Sequence, residues 1–301
     1  MKKKINQLVN ELTIKNNDLE QKKEEITASL EEISSQKEII ENAYNVIEIK
    51  NKNITDSIIY AKRIQNAALP TFDFIGDLFN DFFIFYKPRD IVSGDFYWGC
   101  EVENTKIIVA ADCTGHGVPG AFVSILGIAL LKEVIFLRKI YKPNLILEEL
   151  RNQIKKSLGQ SGKSDENKDG MDLALCQLDY ISKKLYFAGA NNPLYYFKNN
   201  KLDEIKPSRQ PIGVYTKEKP FTLTEIDIIE NEIFYIFSDG FTSQFGGEKN
   251  EKFKSHRFKD LISEIYFLQL SEQKQIIEQK FVEWKGNYEQ TDDVLVIGIK
   301  I

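Results

Sequence analysis

Cysteine is scarce in this chain, and what there is does not pair up. Cys100, Cys113 and Cys176 are the only three among 301 residues, with no Cys-x-x-Cys arrangement. So odd and scattered a set excludes a disulfide framework and a thiolate metal site, and suits a reducing compartment. Histidine is scarcer still, with two residues, which removes the usual zinc ligands. No run of about 18 apolar residues is present to span a membrane. The apolar core of a signal peptide is missing after Met1-Lys-Lys-Lys. Positive charge is in deficit: 40 Lys and Arg against 45 Asp and Glu leave a net charge of -5. With no basic stripe, nucleic acid is excluded as a partner. A Gly-rich phosphate loop and a dinucleotide fingerprint are both absent. What remains is a soluble, cytoplasmic protein, 42% hydrophobic and 12% aromatic, with ample apolar material for a core.

Glycine and proline are missing from residues 1–69 altogether. Over that span Ile5, Leu12, Leu19, Ile26, Ile33, Ile40, Ile47 and Ile54 recur at every seventh place. A strict seven-residue repeat keeps one stripe facing a partner helix, so the segment reads as a coiled coil. With that stripe at position d, position a holds Val9, Asn16, Lys23, Leu30, Lys37, Tyr44, Asn51 and Ile58. Asn and Lys at a weaken the seam but fix its register and favour two strands, hence a parallel dimer. The other reading, a lone charged helix or a bundle arm, asks a single apolar stripe to be stable without a partner. Residues 1–54 are thus expected to form a coiled coil, and 55–70 a linker or regulatory helix that Pro70 stops. A crowd of aromatics from Phe72 to Tyr86 then opens a domain over 71–301.

Within that domain, residues 82–87, 95–102, 107–111, 171–179, 184–189, 194–198, 221–228, 233–237 and 294–301 read as strands. Helices are expected over 119–138, where Pro119 suits the first turn, over 143–158, and over 258–284. The polar stretch 159–170 reads as a mobile loop, a lid or a substrate-docking segment. Strands follow strands and helices come in pairs, so the class is α+β with sheet packed on sheet.

The informative pattern is acidic. In Ile107-Ile-Val-Ala-Ala-Asp-Cys-Thr-Gly-His-Gly-Val-Pro-Gly-Ala121 an apolar strand runs into Asp112 and then into a glycine-rich turn. Asp95, Asp239, and Asp292 with Asp293 stand at three further strand boundaries. A single such Asp reads equally well as a helix cap. Gathered together, carboxylates repel one another strongly unless cations lie between them. Hard divalent ions with oxygen ligands, Mn²⁺ or Mg²⁺, suit them best. Two such ions, roughly 3.5–4 Å apart, would activate a water and clamp phosphate oxygens.

These motifs resemble the metal-dependent protein phosphatases (PPM, or type 2C), in the branch of bacterial regulators named for SpoIIE and RsbU. The matching stretches are Ala61-Lys-Arg-Ile-Gln-Asn-Ala-Ala-Leu-Pro70, Asp90-Ile-Val-Ser-Gly-Asp-Phe-Tyr-Trp98 and Asp112-Cys-Thr-Gly-His-Gly-Val-Pro-Gly-Ala121. Ala188-Gly-Ala-Asn-Asn-Pro193, Gln210-Pro-Ile-Gly213, Ser238-Asp-Gly-Phe241 and Asp292-Asp-Val294 follow in family order. The resemblance implies a β-sandwich flanked by helices on both faces, with a two-metal site at one end. By motif, Asp112 would bridge both ions and the Cys113 carbonyl would bind one. Asp239 and Asp292 would ligate the other, and Asp95 would act mostly through water, so that Asp112, Asp239 and Asp95 carry catalysis. Asp293 stands where many relatives have Asn and would support the ligands from behind. Arg89 lies near the place where some relatives hold substrate phosphate, in a turn one residue longer than the commonest form. Ser243 and Ala190 occupy places where some relatives carry acids, so a third ion, if one binds, would fall to Asp169 or Asp172, which otherwise read as polar residues of a loop and a strand start. His116 reads either as a general acid or as a turn-stabilising hydrogen-bond partner. Trp98 and Trp284 read as core.

The expected function is therefore a Mn²⁺- or Mg²⁺-dependent serine/threonine protein phosphatase acting on a phosphoprotein, such as an anti-sigma-factor antagonist of the STAS type. A scaffold of the same fold without strong catalysis, and a hydrolase of small phosphoesters, are the rival readings.

Overall fold

The computed structural model describes residues 1–162 and 167–301; residues 163–166 of the expected loop lie outside the described residues. The chain divides into two compact units, Met1–Ser57 and Ile58–Ile301. The break falls inside the stretch expected as a linker helix.

Helix α1 (Lys2–Ala68) supplies the whole of the first unit. Every residue from 1 to 57 is exposed, the d-stripe residues between 54% and 67%. Pairs one turn apart, Lys22 with Asp18 at 3.0 Å and Lys37 with Glu41 at 3.7 Å, add a few tenths of a kcal/mol each at most. The helix ends at Ala68, as Pro70 requires.

The second unit holds two five-stranded antiparallel sheets. One is ordered β1 (Asp81–Lys87), β12 (Val294–Lys300), β9 (Ile233–Phe237), β6 (Leu194–Lys198), β7 (Lys201–Ile205). The other is ordered β2 (Phe96–Val102), β3 (Thr105–Cys113), β4 (Met171–Asp179), β5 (Lys184–Ala190), β8 (Thr224–Asp227). Side chains alternate between faces. Ile108, Ala110, Ala174 and Cys176 meet Phe234, Ile236, Leu295 and Ile297 in the gap between the sheets. Their neighbours Ile107, Val109, Leu173 and Leu175 pack outward against α3 (Gly117–Lys132) and α4 (Pro143–Ser157). On the far side, Tyr235, Phe237 and Val296 pack under α6 (Ser255–Ile265) and α7 (Leu270–Lys285). The sandwich with helices on both faces is the expected fold.

Some elements differ from expectation. Strand β3 runs through Cys113, because it is paired with β4 as far as Cys113 opposite Met171. The long helix expected over 258–284 is broken at 266–269. Gln269 caps α7 in a reciprocal box with Glu272, and the buried Gln273 amide donates to the Tyr266 and Leu268 carbonyls. Helix α2 (Phe72–Leu78) and strand β7 had not been expected, and β8 is shorter than residues 221–228. Helix α5 (Gly240–Ser243) and a small hairpin, β10 (Phe245–Gly246) with β11 (Glu251–Lys252), complete the unit. Residues 117–137, α3 and the π-helical turn after it, are apolar enough to cross a membrane, but more than half of that stretch is buried against the sandwich. It is the core helix of this layer.

Candidate active site

The two-residue period of β3 and β4 decides where their acids point. Cys113 follows Ile107, Val109 and Ala111 onto the helix-covered face, while Asp112 follows Ile108 and Ala110 toward the gap between the sheets. Asp172 lies directly across the ladder from Asp112 and, by the same count, shares its face. From the facing sheet, β9 ends at Phe237, and Ser238 and Asp239 follow it; Asp292 and Asp293 lead into β12, its neighbour. Asp95 enters β2 beside β3. Six carboxylates thus converge on one end of the sandwich.

Burial is graded across this cluster. Asp95 and Asp293 are each 2% exposed, Asp112, Asp172 and Asp292 are half-buried, and Asp239 is exposed. Burial, and after it the neighbouring charge of Asp112, push the Asp95 carboxyl well above the usual range. Burial, with Asp239, Asp292 and Asp172, does the same to Asp112. Asp172 is pushed up to about 6, by burial first and by Asp239 second, against a lowering hydrogen bond from Asn191. Asp292 is raised by burial, then by Asp239 and Asp293. Neighbouring carboxylates thus make Asp95, Asp112, Asp172 and Asp292 harder to ionise, a repulsion that added positive charge would relieve.

The turn between β1 and β2 is held rigidly beneath the cluster. Asp293 accepts the Arg89 N–H on Oδ1 and the Gly94 N–H on Oδ2, both at 2.7 Å. Ser238 Oγ donates to Asp95 Oδ2 and accepts from the Leu295 N–H at 3.0 Å, fixing the Asp95 rotamer. From the last turns of α1, Gln65, 2% exposed, donates through Nε2 to the Ser93 carbonyl (2.6 Å) and Ser124 Oγ (2.8 Å), and accepts the Ser93 N–H (3.1 Å). The end of α1 is therefore tied to the residue two places before Asp95 and to α3. A Cβ on Gly120 would collide with the Gly115 carbonyl, and one on Gly240 with the Asp293 carbonyl, so both motif glycines permit backbone contact.

The family model of stage II sporulation protein E (SpoIIE) matches residues 103–301. The chain belongs to the SpoIIE family. The SiaA PP2C domain of Pseudomonas aeruginosa is 32% identical, aligning over 83% of this chain and 98% of that domain with a TM-score of 0.76. The phosphatase-domain structure of Bacillus subtilis SpoIIE is 16% identical over 73% of this chain and 63% of its own, with a TM-score of 0.59, and shares the fold. So does the RsbU and RsbW domain structure from Mycobacterium tuberculosis, 18% identical over 73% and 59%, with a TM-score of 0.59. No protein of curated function matches by sequence. As a SpoIIE-family member the chain is a PP2C-type serine/threonine protein phosphatase.

For this SpoIIE-family domain the donor set fits a hard cation: carboxylates and backbone carbonyls, with the Cys113 thiol turned away into the core. Among the described residues, no three Asp, Glu, His or Cys side chains close on one point as an all-protein cage would. Mg²⁺ seldom uses such a cage; it keeps several waters and takes one or two carboxylates. The graded, mutually repelling cluster suits that partial ligation.

The other predicted residues sit as follows. Arg89 is exposed, with Nη1 on the Thr291 carbonyl at 3.0 Å. His116 Nδ1 lies 2.7 Å from Asp90 Oδ2, which staples the turn to the start of α3. Ser243, in the place of an acid, donates to Asp239 Oδ2 at 3.1 Å. Asp169 Oδ2 accepts from Asn167 Nδ2 at 2.6 Å. Gln65 and Ser238 had not been singled out. Both lie in quoted motifs, and Gln65 shares the face of α1 that Ile58, Ala61 and Ala68 half-bury, where a polar residue does not mark itself as buried.

Proposed function

We infer that this phosphatase hydrolyses phosphoserine or phosphothreonine on a regulatory protein, a STAS-type anti-sigma-factor antagonist being the expected substrate, with two Mn²⁺ or Mg²⁺ ions. The convergence of Asp95, Asp112, Asp239 and Asp292 at one end of the sandwich carries this reading. Asp112, Asp239, Asp292 and the Cys113 carbonyl would hold the ions, with Asp95 behind them and Asp172 available as a further oxygen donor. When bound, such ions supply an activated water and neutralise charge on phosphate oxygens. The chain's own part is to keep these oxygens in place before substrate arrives. Ser238 orients Asp95, Asp293 clamps the 88–94 turn, and Asn191 Nδ2 orients Asp172 from 2.8 Å. Arg89 uses one N–H on Thr291 and has others to offer a phosphate oxygen.

The regular d stripe supports a parallel coiled-coil dimer through residues 1–54. Three free, buried cysteines support a cytoplasmic location. The test is dephosphorylation of a phospho-STAS protein with Mn²⁺, with and without chelator. Turnover that survives the chelator, or none on any phosphoprotein, would sink the assignment.

A further inference from the structure

Beside the carboxylates, and meeting them at Asp239, lies a cleft of about 410 Å³. Asn192 lines one side, Lys206 and Arg209 another, and Asp239 lines the same space. The two sides are joined by backbone, Asn191 N–H to the Ser208 carbonyl at 3.0 Å and Ser208 N–H to the Gly189 carbonyl at 2.9 Å. The cleft is thus a fixed feature of the sheet edge and falls within the size range of ligand pockets.

Two independent observations point to an occupant. Asn192 is only 5% exposed, yet its Nδ2 has no hydrogen-bond partner among the described residues. Buried amides in folded proteins are nearly always paired, so an unpaired one lining a cleft is waiting for an acceptor. Lys206 and Arg209 are both exposed and form no ion pair among the described residues, because the neighbouring acid, Glu204, is taken by Lys259 at 2.9 Å. Glu204 and Asp239 also line the cleft, but with Glu204 paired to Lys259 the two unpaired cations beside the acidic centre suit an occupant that carries negative charge outside the phosphate.

We propose that this cleft binds the substrate chain next to the phosphorylated residue: Asn192 donates to a main-chain carbonyl, and Arg209 with Lys206 takes a flanking acidic side chain. A carbonyl is the acceptor every protein substrate presents to a neutral donor, and a carboxylate is the group a guanidinium holds best. The cleft shares Asp239 with the metal-binding carboxylates, so its occupant is contiguous with the phosphorylated residue. The inference rests on the phosphoprotein reading above and specifies the substrate further: a phosphorylated Ser or Thr with Asp or Glu close by.

The experiment uses the full chain with Mn²⁺ and three substrates: a phosphoserine peptide flanked by Glu, the same peptide flanked by Lys, and p-nitrophenyl phosphate. The wild type should favour the Glu peptide by about tenfold in kcat/KM, mainly through KM. Lys206→Glu with Arg209→Glu should abolish or invert that preference and leave aryl phosphate hydrolysis within about twofold. Asn192→Ala should weaken both peptides by about tenfold, again without touching the aryl phosphate. Equal loss on all three substrates, or a peptide preference untouched by charge reversal, would overturn the proposal. If the wild type hydrolyses none of them, the phosphatase reading itself falls. Binding of the Glu peptide, measured by fluorescence anisotropy, would then still carry the cleft if charge reversal abolished it, and overturn it if not.

Discussion

Between Met1 and Ser57 no side chain is buried, although eight aliphatic residues repeat there without a miss. Between Ile58 and Ile301 three separate apolar clusters are closed from solvent by the chain itself. The two regions are comparably rich in aliphatics but differ in geometry. One helix has one stripe and nothing to fold it against, whereas a strand offers two faces and its sandwich covers both. Under the coiled-coil dimer proposed above, folding of the first region would depend on another chain, whereas the second closes its own core. Function divides along the same line, since all six converging carboxylates belong to the second region.

Removing a carboxylate should break the second region's function without touching the first, and this is the largest effect expected. Asp112→Asn or Asp239→Asn should cost roughly 10²–10³ in kcat at saturating Mn²⁺, the size of losing a metal's contribution to the transition state. Sedimentation should show the dimer unchanged. Either variant retaining more than about a third of wild-type rate, under ~1 kcal/mol of barrier, would remove that residue from the site.

The converse change targets the first region. Ile26→Asp with Ile33→Asp places charge in the d stripe twice and should convert the dimer to a monomer at micromolar concentration. Most of the helical signal of residues 1–57 should go with it, while the sandwich melts within a few degrees of wild type. A variant that stays dimeric would locate association elsewhere.

The same contrast decides what could be read in advance. The heptad and the strand alternation are periodic, so both architectures were legible, as were the acids, each standing at one end of an apolar run. That Asp112 faces the sheet gap while Cys113 faces the helices follows from counting alternate residues back to Ile107. Asp172 was harder, because only the β3–β4 register, set by the whole ladder, puts it opposite Asp112. Gln65 was illegible: its role depends on Ser93 and Ser124, which are 28 and 59 residues away. The break at 266–269 has the same origin, in a buried Gln273 amide that bonds to the backbone and to Tyr235. Single polar side chains with distant partners leave no pattern.

Gln65 marks where α1 grips the sandwich, and its removal gives a smaller effect. Gln65→Ala would leave the buried Ser93 N–H without its acceptor and take one donor each from the Ser93 carbonyl and Ser124 Oγ, at a cost of about 1–3 kcal/mol. Because Ser93 sits two residues before Asp95, the Mn²⁺ concentration for half-maximal activity should rise several-fold, and Gln65→Glu, which keeps the acceptor but not the donors, should recover only part of it. Lost stability with unchanged Mn²⁺ dependence would make Gln65 a packing residue alone.

The smallest effect concerns pH and separates the regions by titration. Asp95, Asp112 and Asp172 bind protons more tightly folded than unfolded. Above the unfolded carboxyl range and below the folded values, the native state carries the extra protons, so stability falls as pH rises. For Asp172 that window runs from its ordinary value of 3.8 up to about 6. The metal-free sandwich should accordingly lose on the order of 5 °C in Tm between pH 5 and pH 7.5. Residues 1–57 contain none of these groups, and their helical signal should not follow. Mn²⁺ competes with the same protons, so it should raise Tm much more at pH 7.5 than at pH 5. Calorimetry on the metal-free and Mn²⁺-loaded protein at both pH values decides it: a metal-free Tm that rises with pH, or an equal Mn²⁺ increment at both, would mean that the carboxylates do not repel one another as their burial and proximity require.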